Sequence, residues 1–199
     1  MTEFWEEAFK GKQEMWGITP TISAIRAAET FRNKGLKEIL IPGIGYGRNA
    51  KPFMDYGMDV YGVEISKTAI KLAVKHYGSS IKIHHGSVVD MPCENSRYDG
   101  IFCHALIHLL DSEQRKKLID DCYKQLRDNG LMFFTAITKQ SHTYEQGRLI
   151  SEDRYEQFGG INMFFYDENS IKNEFAPYGL YQVDEIIENY PFYLIQCKK

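Results

Sequence analysis

Three glycines at every second position, Gly43, Gly45 and Gly47, break the chain directly after the apolar run Ile39 to Ile41 and Pro42, in the stretch ILIPGIGYGRNA. Glycine adds no side chain and tolerates left-handed turns, so loop amides and the start of a following helix can face a bound ligand directly. Glu64 stands 21 residues after Gly43, at the end of the next apolar run. A carboxylate in that position can accept both hydroxyl hydrogens of a ribose diol. Asp90 closes a third run in HHGSVVDMP, and His104 follows a fourth in YDGIFCHA. In chain order these residues outline a site for an adenosine-containing cofactor.

Such residues act together only if strands and helices bring them to one edge. Lys37 to Ile41 reads as a strand closed by Pro42, which has no N–H for a ladder. Asn49 to Tyr56 reads as a helix stopping at Gly57, Asp59 to Ile65 as a second strand, and Ser66 as the N-cap of the helix KTAIKLAVKHYG. IKIHHGS and YDGIFCHA are the third and fourth strands. Ser112 to Arg127 is an amphipathic helix ending in DNG, and GLMFFTAIT is an apolar fifth strand. Alternation of strand and helix predicts an α/β, doubly wound parallel sheet. After Thr138 the rhythm breaks: the polar and aromatic stretch over 139–166 is too long for a plain connection and reads as an insertion. A helix from Asn169 to Ala176 and two strands, LYQVDEIIE and FYLIQCK, close the chain. The link around NYP is short enough to make those strands antiparallel.

Spacing alone does not separate NAD from other adenosine cofactors. The dinucleotide fingerprint wants a third glycine where this chain has Arg48, and only about sixty residues follow the fifth strand, too few for a separate substrate domain. Asp90, at the carboxyl edge of the third strand, is placed to accept from an adenine amino group. Two acids without a cationic phosphate clamp suit adenosine joined to an amino acid, which is S-adenosylmethionine.

From Lys37 to Thr138 the chain resembles the Rossmann-like, S-adenosylmethionine-dependent methyltransferases. ILIPGIGYGRNA is similar to their first motif, VYGVEIS to the second, GSVVDMP to the third, and YDGIFCHALIHLL with LRDNGLMFF to the fourth and fifth. The resemblance implies one seven-stranded domain, mostly parallel with an antiparallel last strand, over residues 1–199. Residues 1–35 are then a lid segment and 139–166 an insertion. It also implies methyl transfer from S-adenosylmethionine, leaving S-adenosylhomocysteine, to a small-molecule acceptor. Many members carry an acid two residues before the first glycine; here Ile41 stands there. The cofactor's ammonium is left to a backbone carbonyl, of Gly43 or Cys103, or to another acid. The IPG, GRNA and GVEIS stretches, with Trp5 and Trp16 ahead of the first strand, are similar to the thiopurine, thiol and tellurite-resistance methyltransferases. That narrower resemblance implies a thiol or another soft nucleophile as acceptor; an N- or O-acceptor, or a non-catalytic cofactor-binding partner, is the alternative.

The expected cofactor-binding set is Trp16, Gly43, Gly45, Tyr46, Gly47, Glu64, Ile65, Asp90, Met91 and Cys103. Trp16 is either a lid residue or part of a helix packed on the sheet, and Met91 either covers the adenine or fills core. His104 is the candidate catalytic base, and His108, four residues on, either pairs with it or packs under the sheet. No third ligand accompanies the two histidines, so no metal is expected.

Charge and cysteine usage bound the remaining classes. The 199 residues carry a net charge of −3, and the longest cationic run, Arg115-Lys116-Lys117, is flanked by acids. A nucleic-acid partner, which asks for a basic face, is therefore not expected. Pro92-Cys93 is similar to the Pro-Cys nucleophile of cytosine-C5 methyltransferases but precedes the fourth strand, whereas theirs follows it. No stretch approaches the ~18 apolar residues of a membrane span, and MTEFWEEAFKGK lacks a signal-peptide core. Four scattered cysteines, Cys93, Cys103, Cys122 and Cys197, predict free thiols in a reducing cytoplasm. A monomer or homodimer is expected.

Overall fold

The computed structural model describes residues 2–92 and 97–199. Seven strands form one sheet: β1 (Glu38–Pro42), β2 (Asp59–Glu64), β3 (Ile81–His85), β4 (Tyr98–Cys103), β5 (Leu126–Ile137), β9 (Leu180–Ile187) and β10 (Pro191–Lys198). Their spatial order is β3-β2-β1-β4-β5-β10-β9. Only β10 runs antiparallel to its neighbours, β5 and β9, as the sequence predicts. β6 (Arg148–Ser151), β7 (Arg154–Gln157) and β8 (Ile161–Phe164) form a separate antiparallel sheet inside the predicted insertion.

Alternation along the strands builds two cores. Ile39, Ile41, Phe102 and Phe133 face one layer, while Leu40, Ile101, Cys103, Met132 and Phe134 face the other. Helices α2 (Ile22–Asn33) and α3 (Lys51–Asp55) pack on the first face, where Phe31 meets Phe53 and Phe133. Helices α5 (Ser112–Gln125) and α6 (Glu168–Phe175) cover the second. Each start has a local cause. Ser66 accepts from the Ala69 N–H to cap α4 (Lys67–Tyr77), and Asp111 with Gln114 forms a capping box on α5. Gly62 on β2 lets Ile44 lie against the strand: a Cβ there would sit 2.7 Å from Ile44.

Residues 1–35 are not one lid. α2 is a core helix, whereas α1 (Thr2–Lys12) packs on α4 through Phe9, Ala69 and Leu72. Glu6 of α1 accepts from the Ser66 hydroxyl at 2.7 Å and the Thr68 hydroxyl at 2.7 Å, so it caps α4 from outside that helix. Cys103, Cys122 and Cys197 are buried, while Cys93 lies outside the described residues. Among the described residues no helix is long and apolar enough to cross a membrane.

Candidate active site

Parallel strands β1, β4 and β5 all end at one edge, so the segments after Pro42, Cys103 and Ile137 gather there. β10 runs the other way, with Phe192 opposite Ile137, and this carries the Glu188–Tyr190 turn to the same edge. A cavity of about 1090 Å³ opens between these segments. Its floor is the glycine loop with Glu64 and Ile65. One wall is Trp5, Phe9 and Trp16, and the opposite wall is Phe158, Ile161, Met163 and the Glu188–Tyr190 turn.

The loop turns through Gly43 and Gly45 at φ +67° and +58°, a left-handed conformation that side chains oppose. Glu64 closes it. One carboxylate oxygen accepts from the Gly45 N–H at 2.9 Å, the other from the N–H groups of Ile65 and Ser66, each at 2.8 Å. Burial raises the Glu64 pKa, and the three N–H donors oppose that rise. A carboxylate offers about four lone-pair sites, so little capacity remains beside these bonds.

The loop also holds the N-terminal segment over the cavity. The Tyr46 hydroxyl donates to the Gly17 carbonyl at 2.7 Å, and the Tyr46 ring stacks on Trp16 with centroids 6.3 Å apart. Arg48 donates through Nη1 to the Trp16 carbonyl at 2.7 Å, and Asn49 accepts from the Thr21 N–H at 3.0 Å.

His104 leaves β4 between hydroxyls. Its Nδ1 is 2.9 Å from Thr135 Oγ1 and 3.2 Å from Ser23 Oγ, and its Nε2 is 3.8 Å from Glu188 Oε2. Burial, then the Arg48 charge and His108, push its pKa down to about 3. The imidazole is therefore neutral near pH 7, and far from the value that suits a general base there. His108 also borders the cavity, accepts from the Ile137 N–H at 3.4 Å, and has its pKa lowered to about 3 by burial. Among the described residues no group of three His, Cys, Asp or Glu could hold a metal.

Of the expected set, Trp16, Gly43, Gly45, Tyr46, Glu64, Ile65 and His104 border the cavity. Four residues do not. Asp90 ends the short 3-10 turn Val88–Asp90 and faces solvent, while Ser87, Val88 and Val89 take the cavity wall. Met91 and the Cys103 side chain are packed in the core on the α5 face, and burial drives the Cys103 pKa up. Gly47 permits close packing, since a Cβ there would lie 2.8 Å from the Tyr77 ring.

Arg48, Ser23, Thr135 and Glu188 are site residues that sequence reasoning missed. For Glu188 a signal existed: a turn between two closing antiparallel strands, one of them paired to a parallel neighbour, must land at the carboxyl edge of that neighbour.

Residues 40–134 match the family model described as "Methyltransferase domain". The chain is 21% identical over 195 residues to a Drosophila melanogaster protein named tRNA N(3)-methylcytidine methyltransferase Mettl2, covering 90% of this chain and 59% of that one. The chain thus spans well under two thirds of that relative. Among solved structures, 1,6-didemethyltoxoflavin-N1-methyltransferase of Burkholderia thailandensis superposes with a TM-score of 0.78 at 14% identity, over 100% of this chain and 86% of that one. A structure described for the conversion of a disulfide bond into a thioacetal group during echinomycin biosynthesis gives 0.75 at 16% identity, over 100% and 93%. The matched residues are just under half of the chain, and the solved structures show that its fold is the Rossmann-like one of these methyltransferases. The Burkholderia structure holds bound S-adenosylhomocysteine, the product that S-adenosylmethionine leaves after methyl transfer.

The residues present fit that cofactor. The loop glycines leave backbone free to approach, the volume exceeds the few hundred Å³ of an ordinary ligand pocket, and Glu188 keeps one oxygen without a partner.

Proposed function

We propose that this chain transfers a methyl group from S-adenosylmethionine to a small-molecule acceptor held in the same cavity. The observation that carries the reading is the enclosure itself. About 1090 Å³ lie between the glycine loop, the Trp5–Phe9–Trp16 wall and the Phe158–Ile161–Met163 wall, with room for a cofactor and a small acceptor together.

When bound, S-adenosylmethionine supplies an electrophilic methyl on a sulfonium. In this reading the chain's residues divide by position. Gly43 and Gly45 let backbone approach the ligand, and Glu64 and Ile65 lie at the ribose end. Val88 and Val89 lie at the adenine end in place of Asp90. Arg48, a cavity residue missing from every salt bridge found among the described residues, offers its guanidinium to the methionyl carboxylate. Aligning the acceptor and excluding water contribute more to rate here than proton transfer.

Neutral His104 bears on the acceptor. Neither cavity histidine, His104 or His108, is poised near pH 7 as a base, which favours a nucleophile that needs little deprotonation. A thiol, already partly thiolate, is such a group, and so is a neutral ring nitrogen.

A tRNA acceptor is the second reading, favoured by the name of the Drosophila relative. The net charge of −3 gives it no electrostatic support.

The test is calorimetry with S-adenosylhomocysteine and NAD, followed by transfer of labelled methyl to panels of thiols, small N-heterocycles and bulk tRNA. Binding of the adenosyl ligand with label on small acceptors is expected. Label on tRNA alone would replace the small-molecule reading, and binding of NAD alone would end the methyltransferase one.

A further inference from the structure

Glu188 lines the cavity, and the proposed reaction leaves its carboxylate unused. It sits in the turn between β9 and β10, with a side chain only 7% exposed. Oε1 accepts from the Ser23 N–H at 2.7 Å, in the first turn of α2. Oε2 has no hydrogen-bond partner. The nearest basic nitrogen, His104 Nε2, is 3.8 Å away, beyond hydrogen-bond reach. His104 is itself held by Thr135 and Ser23 on its other nitrogen, so it is not free to swing towards the carboxylate.

A buried acceptor left unpaired is destabilising, and more so when it is charged. Ser23 satisfies one oxygen, and the N-terminus of α2 favours negative charge. Neither satisfies Oε2. The missing partner must therefore come from the cavity, and it must be a donor. A carboxylate or phosphate would be repelled, and a hydroxyl would satisfy the bond without offsetting the charge. An ammonium or a cationic N–H does both.

Resting on the methyltransferase reading above, we propose that Glu188 Oε2 is the seat of a positively charged nitrogen donor of a ligand in the cavity. Two sources carry that chemistry: the methionyl ammonium of the cofactor, for which position 41 offers only an isoleucine, and an amine nitrogen of the acceptor. Glu188 lines the same cavity as the glycine loop and Glu64, so either nitrogen would share that space with it.

The experiment compares wild type with Glu188→Gln, which keeps an oxygen for the Ser23 N–H, and with Glu188→Asp, which keeps the charge one methylene further back. Each is titrated with S-adenosylhomocysteine and with 5′-methylthioadenosine, which lacks the amino-acid part, and assayed on amine and thiol acceptors. A loss of about 10- to 100-fold for S-adenosylhomocysteine in Glu188→Gln, with methylthioadenosine unchanged, supports the cofactor's ammonium. Unchanged adenosyl binding with a similar loss of kcat/KM on amines but not on thiols supports the acceptor nitrogen. Partial recovery in Glu188→Asp is expected in either case, and serves if Glu188→Gln does not fold. No difference between wild type and variants in any arm overturns the proposal. If wild type binds neither adenosyl ligand, the methyltransferase reading fails on its own account. Glu188 is then judged by an alkylammonium salt, whose thermal stabilisation of wild type and not of Glu188→Gln supports the seat, and whose failure to stabilise overturns it.

Discussion

The Tyr46 hydroxyl lies between the Trp16 N–H at 3.2 Å and the Gly17 carbonyl at 2.7 Å, while its ring stacks on Trp16 with an interplanar angle of 12°. The glycine loop therefore anchors the segment that walls the cavity, and one residue couples the two. Tyr46→Phe keeps the stacking and removes both polar contacts. About 1 kcal/mol of stability should be lost. The loss should be matched by several-fold weaker S-adenosylhomocysteine binding and a shift in tryptophan emission. Unchanged binding would mean that the Trp16 segment does not cover the cofactor.

Glu64 is a brace before it is a ligand residue. Glu64→Ala strands three N–H donors, so its effect on binding mixes loop collapse with lost ribose contact. Glu64→Gln keeps one oxygen for the loop. It should bind S-adenosylhomocysteine about tenfold more weakly with a smaller drop in Tm than Glu64→Ala. Equal drops in both variants would leave Glu64 with a bracing role alone.

Gly62→Ala tests the packing under the loop. The added methyl meets Ile44 at 2.7 Å, and Ile44 stands between Gly43 and Gly45. Overpacking of this kind costs about 1–3 kcal/mol. Urea denaturation should report that loss, and cofactor affinity should fall with it because the loop must shift. A variant as stable as wild type would show that Ile44 yields freely.

Acid should unfold the protein in two stages. His104 and His108 have folded pKa values lowered to about 3 from an ordinary 6.5, so the unfolded chain binds protons first. Their contribution is complete above pH 6.5 and is lost as the pH falls towards 3, at about 1.4 kcal/mol per pH unit for each histidine. Hydrogen bonds from Ser66 and then Thr68 lower the Glu6 pKa from 4.5 to about 2, and the Lys139 ammonium followed by the Ser170 N–H lowers that of Asp167 from 3.8 to about 2. Those contributions hold above pH 4.5 and 3.8 and are lost on the way down to 2. Chemical denaturation from pH 8 to 4 should show stability declining from 6.5, with the slope roughly halved in His108→Gln. A flat profile between 6.5 and 4.5 would mean that the histidines are accessible to protonation.

Lys139 ties the insertion down, with ion pairs to Asp153 at 2.6 Å and Asp167 at 2.7 Å. Lys139→Met leaves two carboxylates facing each other across the base of the small sheet. Limited proteolysis should then cut within residues 145–160 several times faster, and turnover should fall more than cofactor affinity. Identical cleavage rates would show that the Tyr144–Tyr155–Phe165 contacts hold the insertion without the ion pairs.

Legibility followed the range of the interactions involved. Gly43, Gly45 and Glu64 belong to one strand-loop-helix-strand unit, and their roles follow from local geometry that neighbouring residues dictate. The doubly wound sheet and the reversal of β10 were readable for the same reason, from apolar alternation and a short closing link, whereas the spatial order of the strands came from the structure. Asp90 was misplaced because a carboxylate at the end of a strand looks alike in sequence whether the next turn aims it inward or outward. Here Ser87 accepts from the Val89 N–H, and the turn leaves Asp90 on the solvent side. His104 was legible as a residue at the carboxyl edge, while the burial that lowers its pKa comes from residues far away along the chain.

By itself, then, the sequence determined the sheet, the edge where the cavity opens and the glycine loop that lines it, because each rests on hydrophobic period, capping and glycine geometry within a few residues. Only the tertiary structure decided that Ser23, His104, Thr135 and Glu188 meet around one corner of the cavity. Those residues come from the start of α2, the end of β4, the carboxyl end of β5 and the β9–β10 turn. No local pattern encodes their contact. It exists because an antiparallel last strand returns the chain to the edge where the parallel strands end, and because a buried carboxylate there keeps one oxygen that the protein itself does not satisfy.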